Sequence, residues 1–245
     1  MMVLPWVVDL HIHSALSPCA DEAMTPGAIV AMALRRGLDV IGIADHNSAA
    51  NVCAVMAAAS GTGLVVLPCM EVQTVEEVHV LAVFDGVEGV MALHEHVYSH
   101  LPRRQNVERA FGRQTIFNKA GEPVGTEQQL LLVSTDLSLE QVCELVPGYG
   151  GLCIPAHVDR PAYGVIGVLG GIPAGLDVPA LEMSPRYRGS GELRRAVGSM
   201  TTVCFSDAHL LQQVGSCSST IWAEQPTVQS FLRAFTCQGG HRVEH

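Results

Sequence analysis

The chain has 245 residues, 48% of them hydrophobic and 16% charged, with a formal net charge of -10 at pH 7. That length and balance support a well-buried core and exclude a disordered or fibrous chain. The acidic charge argues against a long nucleic acid or an anionic membrane as partner, since both need a dominant Lys/Arg surface. A small phosphorylated substrate is still allowed, because bound divalent cations reverse the field inside a site.

The opening apolar run stops at Asp9 and has no basic n-region, so neither a signal peptide nor a membrane anchor is expected. VVDLHIH (7–13) reads as a strand. Thr25 and Pro26 then offer an N-cap and a first-turn proline, and the helix they open ends before Gly37, a natural C′ residue. DVIGIAD (39–45) is a second strand, the Ala-rich stretch 49–60 a helix, GLVVLPCME (63–71) a third strand and VHVLAVF (78–84) a fourth. Strands follow at 151–157, 180–184, 201–207 and 218–224, with helices near 86–100, 138–147, 190–198 and 227–237. The polar stretch 101–135 breaks this rhythm and reads as an insertion with a hairpin or extended loop. It is a candidate specificity cap or homo-oligomer contact, although its four arginines suit a solvated surface better than a substrate site. GVLGGIPAG (167–175) reads as a loop. The β-branched runs and the β–α alternation predict one α/β domain over 1–245 with a largely parallel sheet.

The eight cysteines (19, 53, 69, 143, 153, 204, 217 and 237) include no C-x-x-C pair and several sit in apolar runs. They read as free thiols of a cytoplasmic protein, and Cys19 as an inert one.

Position is the informative signal. His11, His13, Asp45, His46, Glu71, His157, Asp207 and His209 lie at or just past the ends of predicted strands, and His79 lies within one. That rim is where α/β folds gather ligands and catalytic groups. An isolated H-x-H or Asp-His pair is a weak signal. Many such residues in one cavity would be costly through desolvation and like-charge repulsion, and cations remove both costs. Imidazole and carboxylate together suit Zn, Mn or Fe. A G-x-S-x-G elbow and a G-x-x-x-x-G-K-[ST] loop are both missing, which disfavours serine-nucleophile and P-loop chemistry.

The ordered set DLHIHS (9–14), ADHN (44–47), Glu71, His79, AHVDR (156–160) and SDAH (206–209) resembles the PHP family, the polymerase and histidinol phosphatase domain. The resemblance implies a distorted seven-stranded β/α barrel holding two or three divalent transition metals at the C-terminal rim, and phosphoesterase activity. It implies a first metal on His11, His13, Glu71 and Asp207, and a second on Glu71, His79 and His157. A third would take His46, His209 and an aspartate of the first loop. Here that loop is a longer segment, SPCADEAMTP, and alignment on Thr25-Pro26 puts Asp21 in that place, with Glu22 the alternative. Arg160 occupies the position of a family arginine.

Cation chemistry then implies a bridging water, deprotonated near neutral pH, that attacks phosphorus. Arg160 would grip the phosphate, aided by Arg186 or Arg188. Asp45 would orient a ligand imidazole, and His209 or a water on the third metal would serve as general acid. The main reading is a hydrolase of a small phosphomonoester, such as a nucleotide or a histidinol-phosphate-like metabolite. The alternatives are a nuclease trimming short oligonucleotides, an amidohydrolase, and a noncatalytic domain that keeps its metals for stability or for a protein partner.

Overall fold

The computed structural model describes residues 2–186 and 191–244. In chain order the first elements are β1 (Leu4–Ile12), α1 (Pro26–Arg35), β2 (Val40–Ile43), α2 (Val52–Ala59), β3 (Val65–Gln73), β4 (His79–Val83) and α3 (Val87–Ser99). The stretch 101–135 holds α4 (Glu108–Phe111), β5 (Thr115–Phe117) and β6 (Pro123–Thr126). The second half holds α5 (Leu139–Gly148), β7 (Leu152–Pro155), α6 (Val165–Leu169), β8 (Leu181–Met183), α7 (Gly191–Val197), β9 (Thr202–Cys204), β10 (Ser219–Ala223), α8 (Val228–Phe235) and β11 (Arg242–Glu244). The segment read as a loop at 167–175 thus begins in a short helix, α6, and β11 adds an edge strand the sequence did not signal.

Local chemistry explains several boundaries. Pro26 opens α1, with Thr25 extended at the N-cap but making no side-chain cap bond. The helix ends as foreseen at Gly37, whose φ of 71° only glycine adopts freely. Gly37 N–H donates to Leu34 O and Leu38 N–H to Ala33 O, a Schellman closure. Ser138 caps α5 reciprocally with Gln141.

Seven strands form one curled sheet in the order β11-β10-β1-β2-β3-β4-β7, an open half-barrel, and β8 and β9 pair separately. The sheet is mixed: β1, β2 and β3 run parallel, whereas β4 is antiparallel to both β3 and β7, and β10 is antiparallel to β1. Side-chain alternation splits the core in two. Val65, Leu67 and Cys69 of β3 belong to an inner cluster with Leu81, Ile154, Phe205 and Phe231. Val66, Met70 and Val72 belong to an outer cluster with the helices.

The β1–β2 register shifts between Asp9 and Ile12. Parity changes across this irregularity, because Val8 and Leu10 belong to the inner cluster and Ile12 to the outer one. A bulge re-aims the residues beyond it. His11 and His13 therefore turn inward, though strict alternation from Leu10 would send them out.

Gly42 lets β1 and β2 approach. A Cβ there would lie 2.4 Å from Leu10 O and 2.6 Å from Cys69 Sγ. Gly42→Ala should cost about 2 kcal/mol through overpacking, read as a lower denaturant midpoint at unchanged slope. An unchanged midpoint would show that the strands part freely.

The cysteine expectation is overturned at two positions, where Cys204 and Cys217 form a disulfide with a Cα–Cα distance of 6.0 Å. They are 13 residues apart, and the loop between them leaves β9 and returns to the start of β10. Closing a loop of that size is worth about 3 kcal/mol in the chain-entropy picture. Cys19, Cys53, Cys69, Cys143, Cys153 and Cys237 are free. Among the described residues no helix is long and apolar enough to cross a membrane.

Candidate metal centre

The strand directions bring the sequence-separated residues to one rim. Glu71 sits near the end of β3, and antiparallel pairing places His79, the first residue of β4, opposite Gln73. β7 ends at the same rim, so His157 follows directly, while Ala208 pairs with Ile12 and carries Asp207 and His209 alongside His11 and His13.

Glu71 is the hub. Its Oε1 lies 2.8 Å from His79 Nδ1, 3.1 Å from His157 Nε2 and 3.2 Å from His11 Nε2. Its Oε2 lies 2.9 Å from His46 Nδ1 and 3.4 Å from His13 Nε2. Asp207 Oδ1 closes the group at 3.2 Å from His13 Nε2 and 3.4 Å from His11 Nε2. All of these side chains are buried except that of His209, which is a quarter exposed.

This is more nitrogen than one carboxylate can satisfy by hydrogen bonding. His46 Nδ1, Glu71 Oε2, His79 Nε2 and His157 Nδ1 are buried with no hydrogen-bond partner. Such orphaned atoms are costly unless something else binds them. Three donor sets lie within 4.8 Å internally, namely His11, His13 and Asp207; His46, Glu71 and His79; and His13, His46 and His209. The residues fit divalent cations.

Electrostatics agree. Burial and the neighbouring His209 and His46 rings hold His13 well down, and burial brings His79 to about 4, so both keep free lone pairs at neutral pH. Against burial, His79, His11 and His46 hold Glu71 far below the usual carboxylate range, and His11 and His13 do the same for Asp207. His11 and His46 are raised, since nearby anionic groups outweigh burial, Glu182 and Glu71 foremost for His11 and Glu71 and Cys19 for His46.

Around this shell lie groups that orient it. Asp45 Oδ1 accepts from Ser14 N–H at 2.7 Å and from the Ser17 hydroxyl at 2.6 Å, and Ser17 Oγ stands 2.9 Å from His13 Nδ1. Asp45 thus reaches His13 through Ser17. Glu182, fully buried on β8, faces His11 Nδ1 at 2.9 Å. Sequence reading missed it, although a lone carboxylate inside the apolar ALEMS strand was the available signal. Asp9, pushed up to about 6 by burial against its hydrogen bonds, accepts from Ser206 and Gly215 N–H and so ties both ends of the loop bearing Asp207 and His209. His157 and Asp207 themselves take left-handed φ values of 30° and 48°. Strain of this kind gathers at functional sites.

The third site departs from the expected ligand set. Asp21 is exposed, and its Oδ1 accepts from Ala23 N–H at 2.8 Å, outside all three donor sets. Glu22 is exposed too. Cys19, exposed in the same loop, is also outside the three donor sets, and the His46 and His209 rings, outweighing burial, bring its thiol down to about 6.

At the mouth, Arg160 Nη2 lies 2.6 Å from Asp207 Oδ2 with 38% of its side chain exposed. A cavity of about 790 Å³ opens here, lined by Asp159, Arg160, Tyr163, Arg186, Ser206 and Asp207 among others. Tyr163 stacks on His79 with ring centroids 4.5 Å apart. Arg188 lies outside the described residues. The four arginines of the insertion (103, 104, 109 and 113) are exposed and line no part of this cavity. The β5–β6 hairpin instead docks at the start of α2, where Asn51 accepts from Phe117 N–H and donates to Thr115 O.

No curated protein matches the sequence. Among solved structures, the lesion-specific endonuclease PfuEndoQ from Pyrococcus furiosus superposes with a TM-score of 0.74 at 19% identity, over 98% of this chain and 58% of that one. The chain therefore spans less than two thirds of the endonuclease. Endonuclease Q in complex with a 27-mer duplex carrying an abasic lesion gives 0.73 at 18% identity, again over 98% and 58%. A protein from Bifidobacterium adolescentis described as a metal-dependent phosphoesterase gives 0.56 at 20% identity, over 95% of this chain and 96% of that one. These likenesses confirm the fold. The model of the PHP domain matches residues 9–163, well over half the chain and the stretch that supplies His11 through Arg160, and the chain belongs to the PHP domain family.

Proposed function

We propose that this chain is a metal-dependent phosphoesterase whose substrate is a small phosphomonoester, such as a nucleotide or a histidinol-phosphate-like metabolite. One observation carries the reading: five imidazoles converge on Glu71 and two of them on Asp207, and Asp207 is also in the wall of an open cavity with Arg160 and Arg186.

Two divalent cations bound there would acidify a water and neutralise charge on the nonbridging phosphate oxygens. The chain does the rest. Glu71, between the His11/His13 side and the His79/His157 side, would hold both cations. Asp45, through Ser17, and Glu182 fix the rotation of His13 and His11 so that their lone pairs face inward. Arg160, anchored on Asp207, keeps further N–H groups for a planar grip on phosphate.

A second reading is a nuclease, and it corrects an expectation. Net charge argued against long nucleic acid, yet a protein of the same fold holds a 27-mer duplex. Overall acidity therefore does not rule out duplex DNA, because the local field at a cation-filled rim differs from the sum over the chain.

The test is a panel assayed with added Mn²⁺, covering p-nitrophenyl phosphate, mononucleotides, 3′,5′-bisphosphates, histidinol phosphate, short oligonucleotides, and duplexes with and without an abasic site. Turnover of monoesters is expected. Cleavage of duplex alone would transfer the assignment to the nuclease reading. Full metal content with no turnover on any substrate would leave a noncatalytic metal domain.

A further inference from the structure

The segment after β7 folds tightly on itself. Arg160 N–H donates to His157 O at 2.9 Å, Ile166 N–H to Val158 O at 3.2 Å and Val168 N–H to Gly164 O at 2.9 Å. A Cβ on Gly164 would lie 2.5 Å from Arg160 O and 2.8 Å from His157 O, so only glycine lets the turn close. Asp159 accepts from the Ser184 N–H and from the Ser184 hydroxyl, each at 2.7 Å, and so fastens the turn to the end of β8. Arg160 and Tyr163, both on this turn, line the cavity of about 790 Å³ beside the metal centre.

Tyr163 is held by both backbone and ring. Its carbonyl accepts from His79 N–H at 2.9 Å, and its ring stacks on the His79 imidazole with the two planes 19° apart. Its φ of 62° is one that bulky side chains rarely adopt, and a conformation of that kind persists only where the surroundings enforce it. Yet 42% of the residue is exposed. One ring face rests on His79, and the cavity lies over the rest. A tyrosine already fixed in this way gives up little freedom when a second ring stacks on it. Arg160 and Arg186 line the same opening, so it joins a grip for phosphate to a flat aromatic surface.

We propose that Tyr163 is a specificity-determining residue, a stacking platform that selects a phosphomonoester carrying a nucleobase over one whose organic part has no ring. The phosphate would lie at the metal centre and Arg160, and the base on Tyr163. The cavity falls within the roughly 300–1,000 Å³ of ordinary small-ligand sites. Every base has a π-face, so stacking of this kind chooses nucleotides as a class and does not choose among bases. A small ring such as imidazole offers less face and gains less. This assignment rests on the phosphoesterase reading above and narrows it, and the two can fail separately.

Adenosine 5′-monophosphate (AMP) and ribose 5-phosphate share a phosphate and a sugar and differ by the base alone. With the full chain and added Mn²⁺, kcat/KM is expected to be about tenfold higher for AMP, mainly through KM, as befits one base stacked on an aromatic side chain. Tyr163→Phe should keep that preference, and Tyr163→Ala should bring the ratio to within about twofold of one. If Tyr163 only steadies His79, Tyr163→Ala will slow both substrates alike and leave the ratio standing. That result, or a wild-type ratio near one, overturns the platform and leaves the phosphoesterase reading in place. Calorimetric titration of the same two compounds reads the preference as a ratio of Kd values, with no turnover required. If neither is hydrolysed, a binding preference for AMP that Tyr163→Ala abolishes upholds the platform while the phosphoesterase reading falls. Binding of neither compound overturns both.

Discussion

Glu71→Gln is expected to lower kcat/KM on a monoester by about a thousandfold, equivalent to about 4 kcal/mol of lost transition-state stabilisation. The glutamine keeps the shape, and the backbone bonds of residue 71 to Asp45 and Asn47 hold the strand end in place. What changes is charge and polarity. An amide presents one acceptor and two donors where five imidazole nitrogens now meet two anionic oxygens between 2.8 and 3.4 Å away. It cannot bridge two cations, so metal content should fall by at least one equivalent in parallel with rate. The measurement is steady-state kinetics with Mn²⁺ alongside metal analysis. A loss smaller than tenfold with full metal content would remove Glu71 from the reacting centre.

Chelation should lower the thermal midpoint by about 10 °C, restored on adding Zn²⁺ or Mn²⁺. Ligands at a thousand times their dissociation constant add about 4 kcal/mol to the folded state. In a chain of this size each kcal/mol moves the midpoint by about 2–4 °C. The physical source is visible in the shell: Glu71, Asp207 and Glu182 are buried carboxylates within one cluster, and without cations they face only partly compensating imidazoles. Scanning calorimetry with and without EDTA reads the shift. An unmoved midpoint would sink the idea that the centre binds cations tightly.

Much of this was legible beforehand because strand ends are a topological property. Once VVDLHIH, DVIGIAD and GLVVLPCME read as strands, the residues that follow them had to share a rim. Other features depend on the tertiary fold. The β1 bulge decides that His11 and His13 face inward, and a bulge is a pairing event, invisible in one strand's sequence. His79 lies inside a predicted strand, and only the family resemblance makes it a ligand, because the sequence does not state that β4 runs antiparallel, which turns the start of a strand into a rim position. Glu182 is hidden in an apolar strand, and its place against His11 follows only from the fold. The Cys204–Cys217 bond likewise depends on a loop that doubles back, and spacing alone does not reveal that.

The left-handed backbone at His157 and Asp207 constrains which replacements are tolerable. Histidine, aspartate and asparagine are the non-glycine residues that accept such φ values most readily, while β-branched side chains are nearly excluded. The side chains that can ligate a cation here and the side chains that this backbone accepts are thus almost the same short list. Drift at these two positions is screened twice, once by folding and once by chemistry. Asparagine at 207 would pass the first screen and fail the second, and valine would fail both.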